Sequence, residues 1–386
     1  MEPIEKSATQ PSRTASGPGN GSGSRLVGLS QYSQPVMNRR ALLLSCVMEP
    51  GWGVSVVAHE IAERIGLHGW DLLIGCLSTR DAIGTDGLFE VDATAKAVEA
   101  FSRSMGVEVV VAQTSPYFEL LPEIAAEFPT IAFEHGDPSP HFFDEDAEER
   151  QRVRQNKITN VYPQVSRVLA ISEFIRHDIE WPTAALLPNG CDHVVDLGPK
   201  DPLSLAERRG QPLRVGTLMR LGEGESRYKG VDIFADLVGR FRGGEDAEFT
   251  IMGRGDEAHG EYWASLGVEV HLNATDAERS AYLRGLDVFV SPSQWEGFNL
   301  PLVEAQAMGT VGVAFDVAAH PETTPCLAEN LDEMQHILCV WGRDRELLSE
   351  ASVEAYHFAR AKFSWERTAK LFAKHLDEVA TQRGLV

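Results

Sequence analysis

Strands and helices alternate along this chain, and the alternation starts over halfway through. Residues 41–48 form the apolar run Ala-Leu-Leu-Leu-Ser-Cys-Val-Met. A run without polar alternation fits a strand buried on both faces, as in a parallel sheet covered by helices. The turn Gly51-Trp52-Gly53 follows, then a predicted helix over 54–66, a strand over 72–77, a helix over 93–105 and a strand over 107–112. Short strands at 130–133 and 168–171 continue the series. Turn signals at Pro188-Asn189-Gly190-Cys191-Asp192 and a polar stretch over 196–211 interrupt it. A second series then begins: strand 213–217, helix 231–242, strands 248–252 and 268–272, helix 277–283, and strands 288–290 and 311–315. Two such βα series predict an α/β chain with two Rossmann-like, doubly wound domains.

The length of 386 residues suits two domains, or three. Residues 1–37 are expected to be a disordered tail, because the first two dozen are rich in Ser, Gly and Pro and nearly devoid of aliphatic side chains. An N-terminal domain is expected over 38–192, a linker over 193–212 and a C-terminal domain over 213–362. Residues 363–386 hold a last amphipathic helix with no strand after it, expected to cross back toward the N-terminal domain. The formal net charge of −22 disfavours nucleic acid and strong docking to an anionic membrane, both of which need clustered Lys and Arg. The five cysteines are odd in number and lack CxxC spacing, which fits free thiols in a reducing cytoplasm. Arg39-Arg40 before the first apolar run faintly resembles an export signal, but the run ends at Glu49 and is short for a signal core. No stretch approaches the ~20 apolar residues of a membrane span. A cytoplasmic protein is the expectation.

The chemistry concentrates at Glu296 and Glu304, which flank Gly297-Phe298-Asn299-Leu300-Pro301-Leu302-Val303. Pro301 suits the first turn of a helix, Asn299 is a candidate cap, and Gly309 should end the helix. The free N–H groups of a helix start make an anion site. Gly297 allows close backbone approach to a ligand. Glu296 can accept hydrogen bonds from sugar hydroxyls, and Glu304, about one turn in, can take both hydroxyls of a ribose. The competing reading is a capped helix after a buried strand, with Glu304 on a solvated face. Trp295 and Phe298 beside a glycine turn favour the ligand site.

The run Glu-Gly-Phe-Asn-Leu-Pro-Leu-Val-Glu-Ala-Gln-Ala-Met-Gly resembles the E-x7-E signature of retaining glycosyltransferases of family 4. Other elements are similar to that family: residues 216–220 with Lys229-Gly230, the glycine turn Ile251-Met252-Gly253-Arg254-Gly255, and the interdomain turn at 187–192. The resemblance covers roughly residues 41–380. It implies the GT-B fold, two Rossmann-like domains facing across a cleft, with a nucleotide sugar held by the C-terminal domain. Arg220 and Lys229 would stabilise the charge of a departing diphosphate. An acidic insertion over 221–228 separates these two cations, and alone they would pass for ordinary surface charges. Glu304 would hold the ribose. Glu296, with Gly297, Phe298, Asn299 and Leu300, would hold sugar and phosphate, and Gly253 and Gly255 would line the donor side. From the N-terminal domain would come Gly51, Gly53 and His135, the last orienting the sugar. Trp52 is bulky for that loop and would face the acceptor. The base would sit near Gly255 and residues 271–273.

The implied activity is metal-independent transfer of a hexose-type sugar from a nucleoside-diphosphate sugar, by front-side displacement with retention. The acceptor would be a glycan, lipid or small molecule, and the nucleotide sugar is a substrate, so no cofactor is expected. A homodimer is compatible with the sequence. The rival readings are a GT-B epimerase or phosphorylase, and a non-catalytic sugar-binding partner subunit. Asp144-Glu145-Asp146 fits a metal-binding DxD pattern but reads better as the first turn of a helix, followed by Arg150, Arg152, Arg154 and Lys157 as a solvated face or a contact for an anionic acceptor. No GxSxG, HExxH or Walker A pattern occurs.

Overall fold

A computed structural model describes residues 38–80, 82–201, 205, 207–221, 226–241 and 246–383. The expected tail at 1–37 and the centre of the acidic insertion, 222–225, lie outside them. Among the described residues, thirteen strands form two sheets: β1 (Arg39–Ser45), β2 (Trp70–Cys76), β3 (Leu88–Glu90), β4 (Val109–Ala112), β5 (Thr130–Glu134), β6 (Arg167–Ala170) and β7 (Ala185–Leu186), then β8 (Leu213–Leu218), β9 (Ala247–Gly253), β10 (Glu269–Leu272), β11 (Val288–Ser291), β12 (Val311–Phe315) and β13 (Leu327–Ala328). The first sheet runs β3-β2-β1-β4-β5-β6-β7 and the second β10-β9-β8-β11-β12-β13, with every neighbouring pair parallel. Both orders reverse direction once, between β1 and β4 and between β8 and β11. Ligands of such sheets bind at that reversal, outside the carboxyl ends of the strands.

The apolar runs behave as their composition requires. Ala41, Leu42, Leu43 and Leu44 of β1 are fully buried, since helices cover both sheet faces. The helix after β1 spans Gly53–Ile65, and the helix of the two-carboxylate segment spans Leu300–Ala307. Asn299 caps the latter from a left-handed conformation, its Oδ1 accepting from Leu302 N at 3.3 Å. Gly309 follows at φ +80°. Edge strands β3, β7 and β13 were not expected. They are two or three residues long, too short to show a period, and pairing with a neighbour alone defines them.

The final helix, Trp365–Arg383, lies against the first sheet although it follows the second in sequence. Its Asp377 Oδ1 accepts from Arg39 Nη1 at 2.9 Å and from Trp70 Nε1 at 3.1 Å. The start of this helix rests on the Pro188-Asn189-Gly190 turn: Trp365 N donates to Asp192 Oδ1 at 2.6 Å. A Cβ on Gly190 would fall 2.2 Å from Trp365 N. Gly190→Ala should therefore force the helix off its seat and lower stability by about 1–3 kcal/mol, the usual cost of overpacking. Urea denaturation of the two proteins checks this; equal midpoints would show that the turn tolerates a methyl group.

Candidate functional site

Two cavities bear on function. One, about 550 Å³, lies inside the second domain between β8, β9, β10 and the helix Asp276–Gly285. The other, about 430 Å³, lies between the two domains and is lined by loops that follow β1, β4, β5, β8 and β11. Charged and polar groups from both carboxyl-end edges converge on the second, so we treat it as the candidate active site.

Its floor on the C-terminal side is an ion pair. Lys229 Nζ lies 2.9 Å from Glu296 Oε1 and 3.1 Å from Oε2, and Ser293 Oγ donates to the same carboxylate at 2.8 Å. An ammonium has three donors, so the pair leaves at least one for an incoming anion. Arg220, at the end of β8, lines the same cleft with its guanidinium 4.0 Å from the Trp52 ring centroid. The insertion between Arg220 and Lys229 thus does not separate them from one cavity. Trp52, expected to face the acceptor, lines the cleft and lies against Arg220, a cation–π contact between the domains. Arg254 makes a parallel contact: its Nη2 donates to the Pro50 carbonyl, and its Nη1 is 3.8 Å from Glu49. A Cβ on Gly51, which has φ +79°, would fall 3.0 Å from Arg254 Nε.

The opposite wall carries His135. Gln113 Nε2 donates to Val54 O at 3.1 Å, which turns Gln113 Oε1 toward His135 Nε2 at 3.2 Å. That network assigns the proton to Nε2 and leaves Nδ1 as an acceptor. Burial pushes the imidazole down to about 3, and the Lys157 charge acts in the same direction. His135 is therefore neutral at physiological pH and suited to accept a hydrogen bond from a hydroxyl.

Behind it stands a cluster that the sequence did not disclose. Lys157, expected on a solvated face, is buried in a π-helical turn, Lys157–Val161. Its Nζ sits 3.2 Å from Glu134 Oε1, 2.7 Å from Asp137 Oδ2 and 4.4 Å from the Phe118 ring. Tyr162 donates to Glu134 at 2.7 Å. Lys157 shares a helix face with Arg150 and Arg154, and that face turns toward the domain, with Arg154 part-buried and Lys157 buried. Asp144 and Asp146 of the DxD pattern are engaged with Arg227 and Arg150, at 2.7 and 2.8 Å.

The glycines divide. Gly53, Gly297, Phe298, Asn299 and Leu300 line the cleft. Gly297 was read as room for a ligand, yet a Cβ there would lie 2.4 Å from the His135 carbonyl, so its bareness first serves the contact between domains. Gly253 and Gly255 do not line the cleft. A Cβ on Gly253 would meet Met219 O at 2.0 Å, and Gly255 is bracketed by Asn273, whose Nδ2 donates to Gly255 O at 3.0 Å.

Glu304 is the other departure. It is fully buried rather than at the cleft surface. His193 Nε2 donates to its Oε1 at 2.9 Å, while Trp365 Nε1 donates to His193 Nδ1 at 2.9 Å and so sets the tautomer. Arg279 Nη1 is 3.1 Å from Oε2, yet that oxygen accepts no hydrogen bond of good geometry. Burial would raise this carboxyl, but Arg279 and His193 outweigh it and hold it at about 2. His193 and Arg279 carried no motif; only their distance from Glu304 reveals them. Because the folded value lies below the ordinary 4.5, the pair's contribution is complete above about pH 4.5 and fades as pH falls toward 2. Glu304→Gln should cost about 3 kcal/mol at pH 7, as breaking a buried pair does, and the gap to wild type should narrow below pH 4.5. A gap that is constant from pH 7 to pH 3 would show that the charge contributes nothing.

No helix of the described residues is long and apolar enough to cross a membrane. Residues 214–351 match the family described as Glycosyl transferases group 1. The phosphatidyl-myo-inositol mannosyltransferase of Mycobacterium leprae is 32% identical over 164 residues, 39% of this chain and 41% of that protein. The lipopolysaccharide core biosynthesis mannosyltransferase LpsB of Rhizobium meliloti is 28% identical over 169 residues, 38% of this chain and 47% of that protein. The chain thus spans less than half the length of these curated relatives. Among solved structures, sucrose-phosphate synthase from Thermosynechococcus elongatus superposes with TM-score 0.74 at 14% identity, covering 89% of this chain and all of that one (100%). Anabaena Alr3699/HepE in complex with UDP and glucose superposes with TM-score 0.68 at 16% identity, covering 88% and 100%. The fold is therefore GT-B, and most of its second domain, residues 214–351, is similar to the group 1 glycosyl transferases.

Proposed function

We propose that this chain transfers a hexose from a nucleoside-diphosphate sugar to a hydroxyl acceptor, with retention at the anomeric carbon. The observation that carries this reading is the Lys229–Glu296 pair, seated with Arg220 in a cleft that takes neutral His135 from the other domain. The curated relatives are named mannosyltransferases, which makes mannose the first sugar to test.

In the proposed reaction the bond from the anomeric carbon to the diphosphate oxygen breaks. The acceptor oxygen forms its bond on the same face, and its proton passes to the departing phosphate. The nucleoside diphosphate leaves with the added negative charge. Arg220 and Lys229 stabilise that charge, which is why we take the reaction to need no metal. Donor binding would exchange part of the Arg220–Trp52 contact for phosphate. Glu296, already tied to Lys229, accepts from sugar hydroxyls, and His135 Nδ1 accepts from another. A ribose role for Glu304 would require a rearrangement that uncovers its carboxylate, which is fully buried against His193 and Arg279. Packing of the domains around the sugar limits access of water.

A panel of uridine-, guanosine- and adenosine-diphosphate mannose, glucose and galactose, offered with inositol lipids, lipopolysaccharide cores and free glycosides, tests the proposal. The product's anomeric configuration is read by NMR. A nucleoside diphosphate at 100 times its dissociation constant should add about 2.7 kcal/mol of stability; stabilisation by none of them would sink the reading. Conversion to an epimer without acceptor, or dependence on orthophosphate, would move the chain to another GT-B reaction. Removing Arg220 or Lys229 should raise the barrier by about 3 kcal/mol, roughly a hundredfold in rate, by analogy with deleting one oxyanion donor. Glu296→Ala should lower kcat more than it raises the donor KM, and activity should persist in EDTA.

A further inference from the structure

Far from the cleft, the second domain concentrates positive charge around a single carboxylate. Asp287, fully buried just before β11, accepts from Arg208 Nη1 at 2.6 Å and from Arg214 Nη2 at 3.2 Å, and Arg345 Nη1 lies 3.8 Å away. Lys200 adjoins them, close enough to feel the charges of Asp287, Arg214, Arg284 and Arg208. Arg284 is spent on the carbonyls of Gly198 and Met308. Asp287 is the one carboxylate that the ion pairs join to Arg208, Arg214 and Arg345 among the described residues. Neighbouring Arg209 pairs with Glu346 instead.

One carboxylate cannot satisfy this set. Lys200 Nζ, Arg345 Nε and Nη1 and Arg214 Nε are buried without a hydrogen-bond partner. Lys200 is 7% exposed and Arg345 1%. Buried cations are ordinarily paired, because an unpaired one forfeits its hydration with nothing in return. Burial pushes the Lys200 ammonium down to about 7; Asp287 opposes this, but Arg214, Arg284 and Arg208 add to it. In a chain of net charge −22, such an excess of positive charge at one point is a local construction. The larger cavity reaches Arg214, Gly285 and Leu286, beside Asp287, and the Arg214 side chain is 42% exposed. Of the four cations only Arg214 lines that cavity, so an anion would enter past Arg214.

We propose that Lys200, Arg208, Arg214 and Arg345 form a binding site for a small soluble dianion of the phosphate class. The site lies at the amino-terminal ends of β8 and β11, the opposite end of the sheet from the cleft. Nothing in this assignment depends on the activity proposed above.

Equilibrium dialysis of the full chain with radiolabelled inorganic phosphate, at ionic strength held constant with sodium chloride, tests it. The chain carries Arg220→Ala and Lys229→Ala, so that the cleft cations do not contribute. One phosphate bound per chain, with a rise in Tm, is expected. Lys200→Gln or Arg214→Gln on the same background should weaken binding at least tenfold. Half-exposed Arg214 keeps the test open should Lys200→Gln fold poorly. No phosphate bound by the chain lacking the cleft cations, or unchanged binding after both further substitutions, overturns the proposal. Sedimentation with phosphatidic acid vesicles separates the sources of phosphate: recessed Lys200 and Arg345 predict no Lys200-dependent co-sedimentation, and finding it would overturn a soluble ligand.

Discussion

The cleft depends on two loops, one from each domain, that touch where neither has a side chain. Gly136 sits at φ +82°, and a Cβ there would come within 3.0 Å of the Trp295 ring; Gly297 lies against the His135 carbonyl. Ser172 Oγ donates to Gly297 O at 2.8 Å, and Glu322 of the second domain accepts from the N–H groups of Glu173 and Phe174 in the first, at 2.9 and 2.7 Å. Bare backbone at this contact brings His135 and Glu296 to one cavity. Side chains there would wedge the sheets apart and leave two half-sites.

Electrostatics then divides the labour. The chain carries a net charge of −22, so a place that attracts an anion must concentrate cations locally. Lys229 is held by Glu296, and Arg220 and Arg254 rest on the loop before the first helix. In the proposed reaction an incoming diphosphate would share the cations that these contacts hold in place. His135 differs, because burial and the Lys157 charge keep it neutral. Cations on one wall and a neutral acceptor on the other suit a ligand with a charged end and a polyol end.

Much of the fold was legible because parallel strands covered on both faces must be apolar at their centres, as Ala41–Leu44 of β1 and all of β4 are. The Glu296–Glu304 segment was legible because proline, asparagine and glycine each mark a helix boundary for a stated steric reason. Lys157 was not, since its charged helix reads as solvated, and only the packing of that helix face near Glu134 and Asp137 buries it. His193 and Arg279 were equally silent, lying 111 and 25 residues from Glu304 in sequence.

What the sequence determined by itself was the two-part βα architecture, the helix starting beside Asn299 and the residue types able to bind a sugar diphosphate. These rest on local rules: period, capping and composition. Only the tertiary structure decided which of those residues share a cavity. It seated Lys229 on Glu296, turned Trp52 under Arg220, drew Glu304 away from the surface to His193 and Arg279, and gathered four cations around Asp287. Each of these is a contact between segments distant in the chain, set by how two sheets and a returning helix pack, and no local pattern encodes that packing.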